Sequence, residues 1–131
     1  MLQYIFLAVL GILALFAIFG GNGGSSNPVA QDSDLAGKKY MILFHSNSCP
    51  HCRDAIKFID NTLKSEFPDV VFKRYETSEP QARALLNEFS ARLKFSVRYV
   101  PVAVFSNDKF MIGFDNAEGM GQDYRNMLKS L

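Results

Sequence analysis

Apolar positions fall along this chain in three rhythms, and each predicts a different element. From Leu2 to Phe19 the chain is almost unbroken apolar, interrupted only by Gln3 and Tyr4. Tyr40-Met41-Ile42-Leu43-Phe44 is a shorter continuous run, as a strand buried on both faces is. Ile56, Ile59, Leu63 and Phe67 then recur at helical spacing, with Arg53, Lys57, Asp60 and Lys64 elsewhere on the wheel, and Pro68 ends that helix. Val70-Val71-Phe72 opens a second strand. Ala82, Leu85, Leu86, Phe89 and Leu93 mark a second amphipathic helix; ahead of it Ser78-Glu79-Pro80-Gln81 reads as a capping box, with Ser78 as cap. Val102 to Phe105, a polar turn at Ser106-Asn107-Asp108, and Phe110-Met111-Ile112 read as a β-hairpin. A last helix carries Met120, Tyr124, Met127, Leu128 and Leu131 on one side.

The order β-α-β-α-β-β-α predicts an α/β fold. Strand, helix, strand at the start implies a parallel pair, and the hairpin adds antiparallel strands, so the central sheet is mixed and flanked by helices. This domain spans residues 38–131. Residues 21–37 form a flexible Gly/Ser/Asn linker, typified by Gly23-Gly24-Ser25-Ser26-Asn27-Pro28. Residues 1–20 are expected to be an N-terminal transmembrane anchor or signal helix. The apolar run is near the lower limit for crossing a bilayer, where roughly 20 residues are needed. It has no basic n-region and no good small-x-small cleavage site, which favours an uncleaved anchor over a removed signal. Its downstream flank has no Lys or Arg and carries Asp32 and Asp34, which places the C-terminal domain outside the cytoplasm.

Composition changes this picture little. The chain has 131 residues, 14 Lys and Arg, 13 Asp and Glu, and a net charge of +1. All the basic residues lie in 38–131, leaving that part +3, far from a nucleic-acid footprint. Twelve Phe and five Tyr supply a core for one domain.

The candidate chemistry is concentrated in Cys49-Pro50-His51-Cys52, which holds both cysteines of the chain. A disulfide between them closes a ring too short to staple much chain, so the pair suits redox chemistry rather than structural bracing. Pro50 belongs at the first position of a helix, which makes Cys49 its N-cap residue. A sulfur there accepts from the backbone N–H groups of the first turn and sits at the positive end of the helix dipole. Both effects favour thiolate over thiol, and a protonated His51 beside the sulfur adds to them. Cys49 is thus the expected exposed nucleophile, and Cys52, one turn into the helix, the resolving thiol. The readings set beside this are a structural disulfide, half of a zinc site, and, for His51, an ordinary surface imidazole. His45 completes a His-x3-Cys-x2-Cys set, but three ligands make a poor closed zinc site, and packing near the pair is the preferred reading.

The element order, a C-x-x-C at the first strand–helix junction, and Phe95-x-Val97-x-x-Val100-Pro101 leading into the third strand resemble the thioredoxin superfamily over residues 38–131. The Pro50-His51 dipeptide is the one found in DsbA-type thiol oxidases. The resemblance implies a cis Val100–Pro101 peptide facing the cysteines, with the Val100 backbone pairing with an extended substrate segment. The chain also departs from these families. Leu43 stands where thioredoxins and DsbA-type oxidases carry an acid six residues before the first cysteine, and Ser48 replaces the thioredoxin Trp. The 48 residues between Cys52 and Pro101 leave no room for the inserted DsbA helical domain. The glutaredoxin Gly-Gly turn reads Gly113-Phe114 here, followed by Asp115-Asn116.

The expected activity is therefore thiol:disulfide exchange with protein substrates outside the cytoplasm through Cys49 and Cys52, leaning to disulfide donation. Catalytic residues are Cys49, Cys52, His51 and Pro50, and substrate-binding residues Val100 and Pro101. No metal or other cofactor is called for. The expected partners are protein thiols or disulfides, a membrane redox partner that recycles the pair, and the membrane through residues 1–20. The alternatives are an envelope reductase or isomerase, a non-catalytic peptide-binding module of the same fold, and a dimer bridging an iron–sulfur cluster through Cys49.

Overall fold

Tyr40–His45 forms β1, the central strand on which the site is built. A computed structural model describes residues 34–131. Helix α1 begins at Pro50 (Pro50–Phe58), continues unbroken through a π-helical stretch (Ile59–Leu63), and finishes in a last α turn (Lys64–Glu66). Strand β2 (Val71–Glu76), helix α2 (Pro80–Leu93), strands β3 (Val102–Phe105) and β4 (Phe110–Ile112), and helix α3 (Met120–Lys129) complete the expected β-α-β-α-β-β-α order. The sheet order is β2-β1-β3-β4. β1 pairs parallel with β2 and antiparallel with β3, and β3 pairs antiparallel with β4, so the sheet is mixed as expected.

The unbroken apolar character of β1 follows from its place. Met41 and Leu43 face a core made with Ala55, Ile59 and Leu63 of α1 and Tyr124 and Leu128 of α3. Tyr40, Ile42 and Phe44 face a second core, made with Leu86 and Phe89 of α2. A strand with helices on both sides has no solvent face to keep polar. β3 repeats the pattern, with Ala103 and Phe105 on the first side and Val102 and Val104 on the other. Arg125 of α3 ties the two helices of the first layer together through a bidentate pair with Glu66, at 2.7 and 2.8 Å.

One expected local feature is not formed. Ser78 does not cap α2. The cap is Glu79, at φ −73 and ψ 129, with no side-chain cap hydrogen bond, and Pro80 is the first helical residue. Proline pushes the residue before it into extended conformation, which moves the helix start one position on. The Ser78 hydroxyl and N–H instead both bond the Glu76 carboxylate.

The packed chain reaches back to Leu35, which is 2 % exposed and lies in the α2-side core. The expected anchor over 1–20 and most of the linker over 21–37 lie outside the described residues. Among the described residues no helix is long and apolar enough to cross a membrane.

Candidate functional site

β1 ends at His45, and the chain turns through Ser46-Asn47-Ser48 before α1 begins. The turn is held by Cys49 N–H donating to the Ser46 carbonyl at 3.2 Å and by a 3.1 Å contact between the Ser46 and Ser48 hydroxyls. It delivers Cys49 to the N-cap position in extended conformation (φ −94, ψ 113), with Pro50 as the first helical residue. The Cys49 sulfur accepts from the backbone N–H of Cys52 at 3.1 Å. This is the capping hydrogen bond expected from the position of Pro50, with sulfur in place of the usual oxygen.

The two cysteines, which are not joined in this structure, occupy unlike environments. Cys49 is partly exposed, whereas Cys52 is 0 % exposed. Burial pushes the Cys52 thiol up to about 12, and the neighbouring Cys49 sulfur pushes in the same direction. Cys52 is thus held as a thiol while Cys49 is reachable from solvent.

Opposite the pair lies the loop that enters β3. The Val100–Pro101 peptide is cis, the isomer that the resemblance implies. The Cys49 thiol donates to the Val100 carbonyl at 3.7 Å, across 51 residues of sequence, so Val100 and the Cys49 sulfur face each other. Exposed apolar surface gathers beside this contact: Tyr99 is 73 % exposed and Val97 39 %. Next to it a pocket of about 270 Å³ is lined by Thr77, Arg83, Leu86, Asn87, Val97 and Val100.

His51 is exposed on the first turn of α1, two residues after Cys49. It lies close enough to Asp115 for its charge to help hold that carboxyl below the usual range, behind the larger effect of two backbone N–H groups. Those donors, from Met120 and Asn116 at 2.6 Å each, commit Asp115 to the N-terminus of α3. His45 sits at the end of β1 opposite Glu76 of β2, with its buried Nδ1 unpartnered. Burial lowers its pKa, and the charge of Arg74 lowers it further. Among the described residues no three His, Cys, Asp or Glu side chains are grouped so as to hold a metal ion, so His45-x3-Cys49-x2-Cys52 does not assemble as a ligand set.

Tyr99 is a neighbour of the site that the sequence does not mark, and Val97 is marked only as part of the stretch leading to Pro101. Both stand out because the structure leaves them exposed beside Val100. Gly113 donates its N–H to the Pro101 carbonyl at 2.8 Å, and its φ of +94 belongs to a backbone region that favours glycine. In the sequence Gly113 is marked by the Gly113-Phe114 pair that follows an apolar triplet.

No protein-family model matches the chain, and no curated protein matches it by sequence. Solved structures do. A chain from a structural study of thiol resolution in yeast mitochondrial 1-Cys peroxiredoxin via glutathione/thioredoxin systems is 18 % identical over 72 % of this chain and 79 % of its own, with a TM-score of 0.54. Oxidized mitochondrial thioredoxin 3 from Saccharomyces cerevisiae matches over the same shares at 18 % identity and a TM-score of 0.52. Reduced desulfothioredoxin from Desulfovibrio vulgaris Hildenborough is 24 % identical over 72 % of this chain and 82 % of its own, with a TM-score of 0.50. The likeness is one of fold, and it agrees with the element order and the mixed sheet. Residues 34–131 thus have the thioredoxin fold, with a C-x-x-C pair at the N-terminus of the helix after its first strand.

Proposed function

We propose that the protein is a thiol:disulfide oxidoreductase acting on protein cysteines. The observation that carries this reading is the asymmetry of the pair. Cys49 is partly exposed and capped by a backbone N–H, Cys52 is buried and held protonated, and the Val100 main chain faces the Cys49 sulfur. A structural disulfide needs no such division of roles, and a binding module needs no thiols.

In the donor direction the oxidised pair meets a substrate thiolate. The substrate sulfur attacks Cys49, the Cys49–Cys52 bond breaks, and Cys52 leaves as thiolate and takes up a proton. A second substrate thiolate then attacks the substrate sulfur of the mixed disulfide and releases Cys49. The substrate has lost two electrons to the pair, and its two thiol protons are released or taken up at the cysteines. An oxidant partner must remove those electrons for another cycle; we assign that role to a membrane redox partner, with the domain held outside the cytoplasm by residues 1–20. The reverse sequence, with a reductant partner, gives a reductase or isomerase. The DsbA-type Pro50-His51 dipeptide supports the donor direction. Substrate chain pairs with Val100 as an added strand, in the manner of other edge-recognition sites, and rests on Tyr99 and Val97.

The test is to mix oxidised full-length protein with a reduced, cysteine-paired protein substrate and to follow both partners by mass. Gain of a substrate disulfide matched by loss of the Cys49–Cys52 bond is the expected result. Persistence of both starting states would sink the donor reading, and transfer only in the opposite direction would replace it with the reductase.

His51 carries a separate expectation. A cationic imidazole beside the Cys49 thiolate stabilises the reduced form and makes the disulfide more oxidising. His51→Ala is expected to lower the potential of the pair by about 30 mV, a tenfold change in its equilibrium constant. The measurement is equilibrium with glutathione buffers; an unchanged constant would remove His51 from the redox machinery.

A further inference from the structure

We infer that Tyr124, on the C-terminal helix, is a positioning residue for the substrate-docking loop, and that it acts through a hydrogen-bonded line running from its hydroxyl to the reacting sulfur. This rests on the oxidoreductase reading above and adds a residue to it.

The line can be followed atom by atom. The Tyr124 hydroxyl donates to the Gly113 carbonyl at 3.1 Å. The N–H of the same Gly113 donates to the Pro101 carbonyl at 2.8 Å. Pro101 is bonded to Val100, whose carbonyl accepts from the Cys49 thiol at 3.7 Å. Each contact joins segments distant in sequence, 11 residues apart at the first and 51 at the last. Gly113 is the joint. It lies just past β4 with φ +94, so its carbonyl is turned to α3 while its N–H is turned to the docking loop.

Tyr124 is placed to hold this joint rigidly. It is 0 % exposed, and its ring packs edge-on to Phe105 of β3 at 6.3 Å and against Phe114 at 5.4 Å. Packing alone would be served by phenylalanine. A buried hydroxyl costs free energy unless it is bonded, and its acceptor here is the carbonyl of the residue that anchors Pro101. The Tyr124 hydroxyl bonds the Gly113 carbonyl rather than either cysteine, so its effect falls on docking. A loosened Gly113 lets the Val100–Pro101 segment shift away from the geometry that an added substrate strand needs.

The test is Tyr124→Phe, which removes one oxygen and keeps the ring, read two ways in the full-length protein. First, the Gly113 amide is followed by hydrogen exchange and is expected to exchange about fivefold faster, the loss of one ordinary hydrogen bond. Second, KM for a reduced, cysteine-paired protein substrate is expected to rise about fivefold, with kcat and the alkylation rate of Cys49 by iodoacetamide unchanged. Phe105→Leu serves as the comparison, because it loosens the packing on the Tyr124 ring and removes none of the hydrogen bonds of the line. Its KM is expected to stay at the parent value. An unchanged Gly113 exchange rate, an unchanged KM, or an equal rise in KM for Phe105→Leu would each overturn the inference. If the parent protein turns over no protein substrate, the oxidoreductase reading fails and Gly113 exchange alone decides whether the line exists.

Discussion

Cys49→Ser lowers thiol–disulfide exchange by about a thousandfold or more, while Cys52→Ser keeps the first attack and stops at a mixed disulfide. The magnitude is that of deleting a nucleophile whose replacement cannot form the intermediate. The difference between the two variants follows from their environments. Cys49 is the sulfur that solvent and substrate can reach and that the Cys52 N–H stabilises at 3.1 Å. Cys52, at 0 % exposure, reaches only the Cys49 sulfur of the mixed disulfide, and its attack there forms the Cys49–Cys52 bond and releases the second thiol. Single-turnover reaction with a chromogenic disulfide separates the two events, since the first leaving thiol reports Cys49 and the second reports Cys52. Cys52→Ser is expected to release one equivalent at the parent rate and no second. Equal loss in both variants, or attack by Cys52 alone, would contradict the assignment.

The resolving step is expected to speed up about tenfold per pH unit between about pH 7 and pH 10, because only the thiolate attacks and its fraction grows tenfold per unit well below the pKa. Burial is the first cause of the rise of the Cys52 thiol to about 12, and it persists when Cys49 is in a mixed disulfide. The position six residues before Cys49 is Leu43, 1 % exposed, so β1 offers no carboxylate there to take up the Cys52 proton. The sign is that of an acid kept neutral by its surroundings, so that raising the pH speeds resolution. The second release in the chromogenic assay measures this directly. A flat profile over that range would mean that another group removes the Cys52 proton.

The parts of this site that were legible in the sequence are those set by local chemistry. An unbroken apolar stretch at Tyr40–Phe44 marks a strand covered on both sides, because it is too short for a helix and every position is apolar. Pro50 marks the start of α1 because its ring suits only the first turn, and that places Cys49 at the cap. The cis Val100–Pro101 peptide came from resemblance rather than from residue physics, since most X–Pro bonds are trans. Ser78 misled for a physical reason. Its spacing to Gln81 fits a capping box, but Pro80 between them forces Glu79 into the cap and leaves Ser78 to the Glu76 carboxylate. The bridge from Tyr124 through Gly113 to Pro101 was hidden because it depends on β4 and α3 meeting the docking loop in space. In sequence Tyr124 reads only as one more apolar position on a helix face. The exposure of Tyr99 and the burial of Leu35 were hidden for the same reason: both are decided by what packs nearby.

The fold therefore does two things for the pair. It sets one cysteine at a helix N-terminus facing the Val100 main chain, and it buries the other where its proton is held tightly. Both serve a reversible disulfide between Cys49 and Cys52, on which the account depends. Equilibrating the full-length protein across a series of glutathione redox buffers, and counting free thiols by mass after alkylation, tests it most directly. The account predicts a single two-electron transition between a dithiol and an intramolecular Cys49–Cys52 disulfide. A protein that stays dithiol throughout, or that ends as a stable glutathione adduct on Cys49, would contradict it.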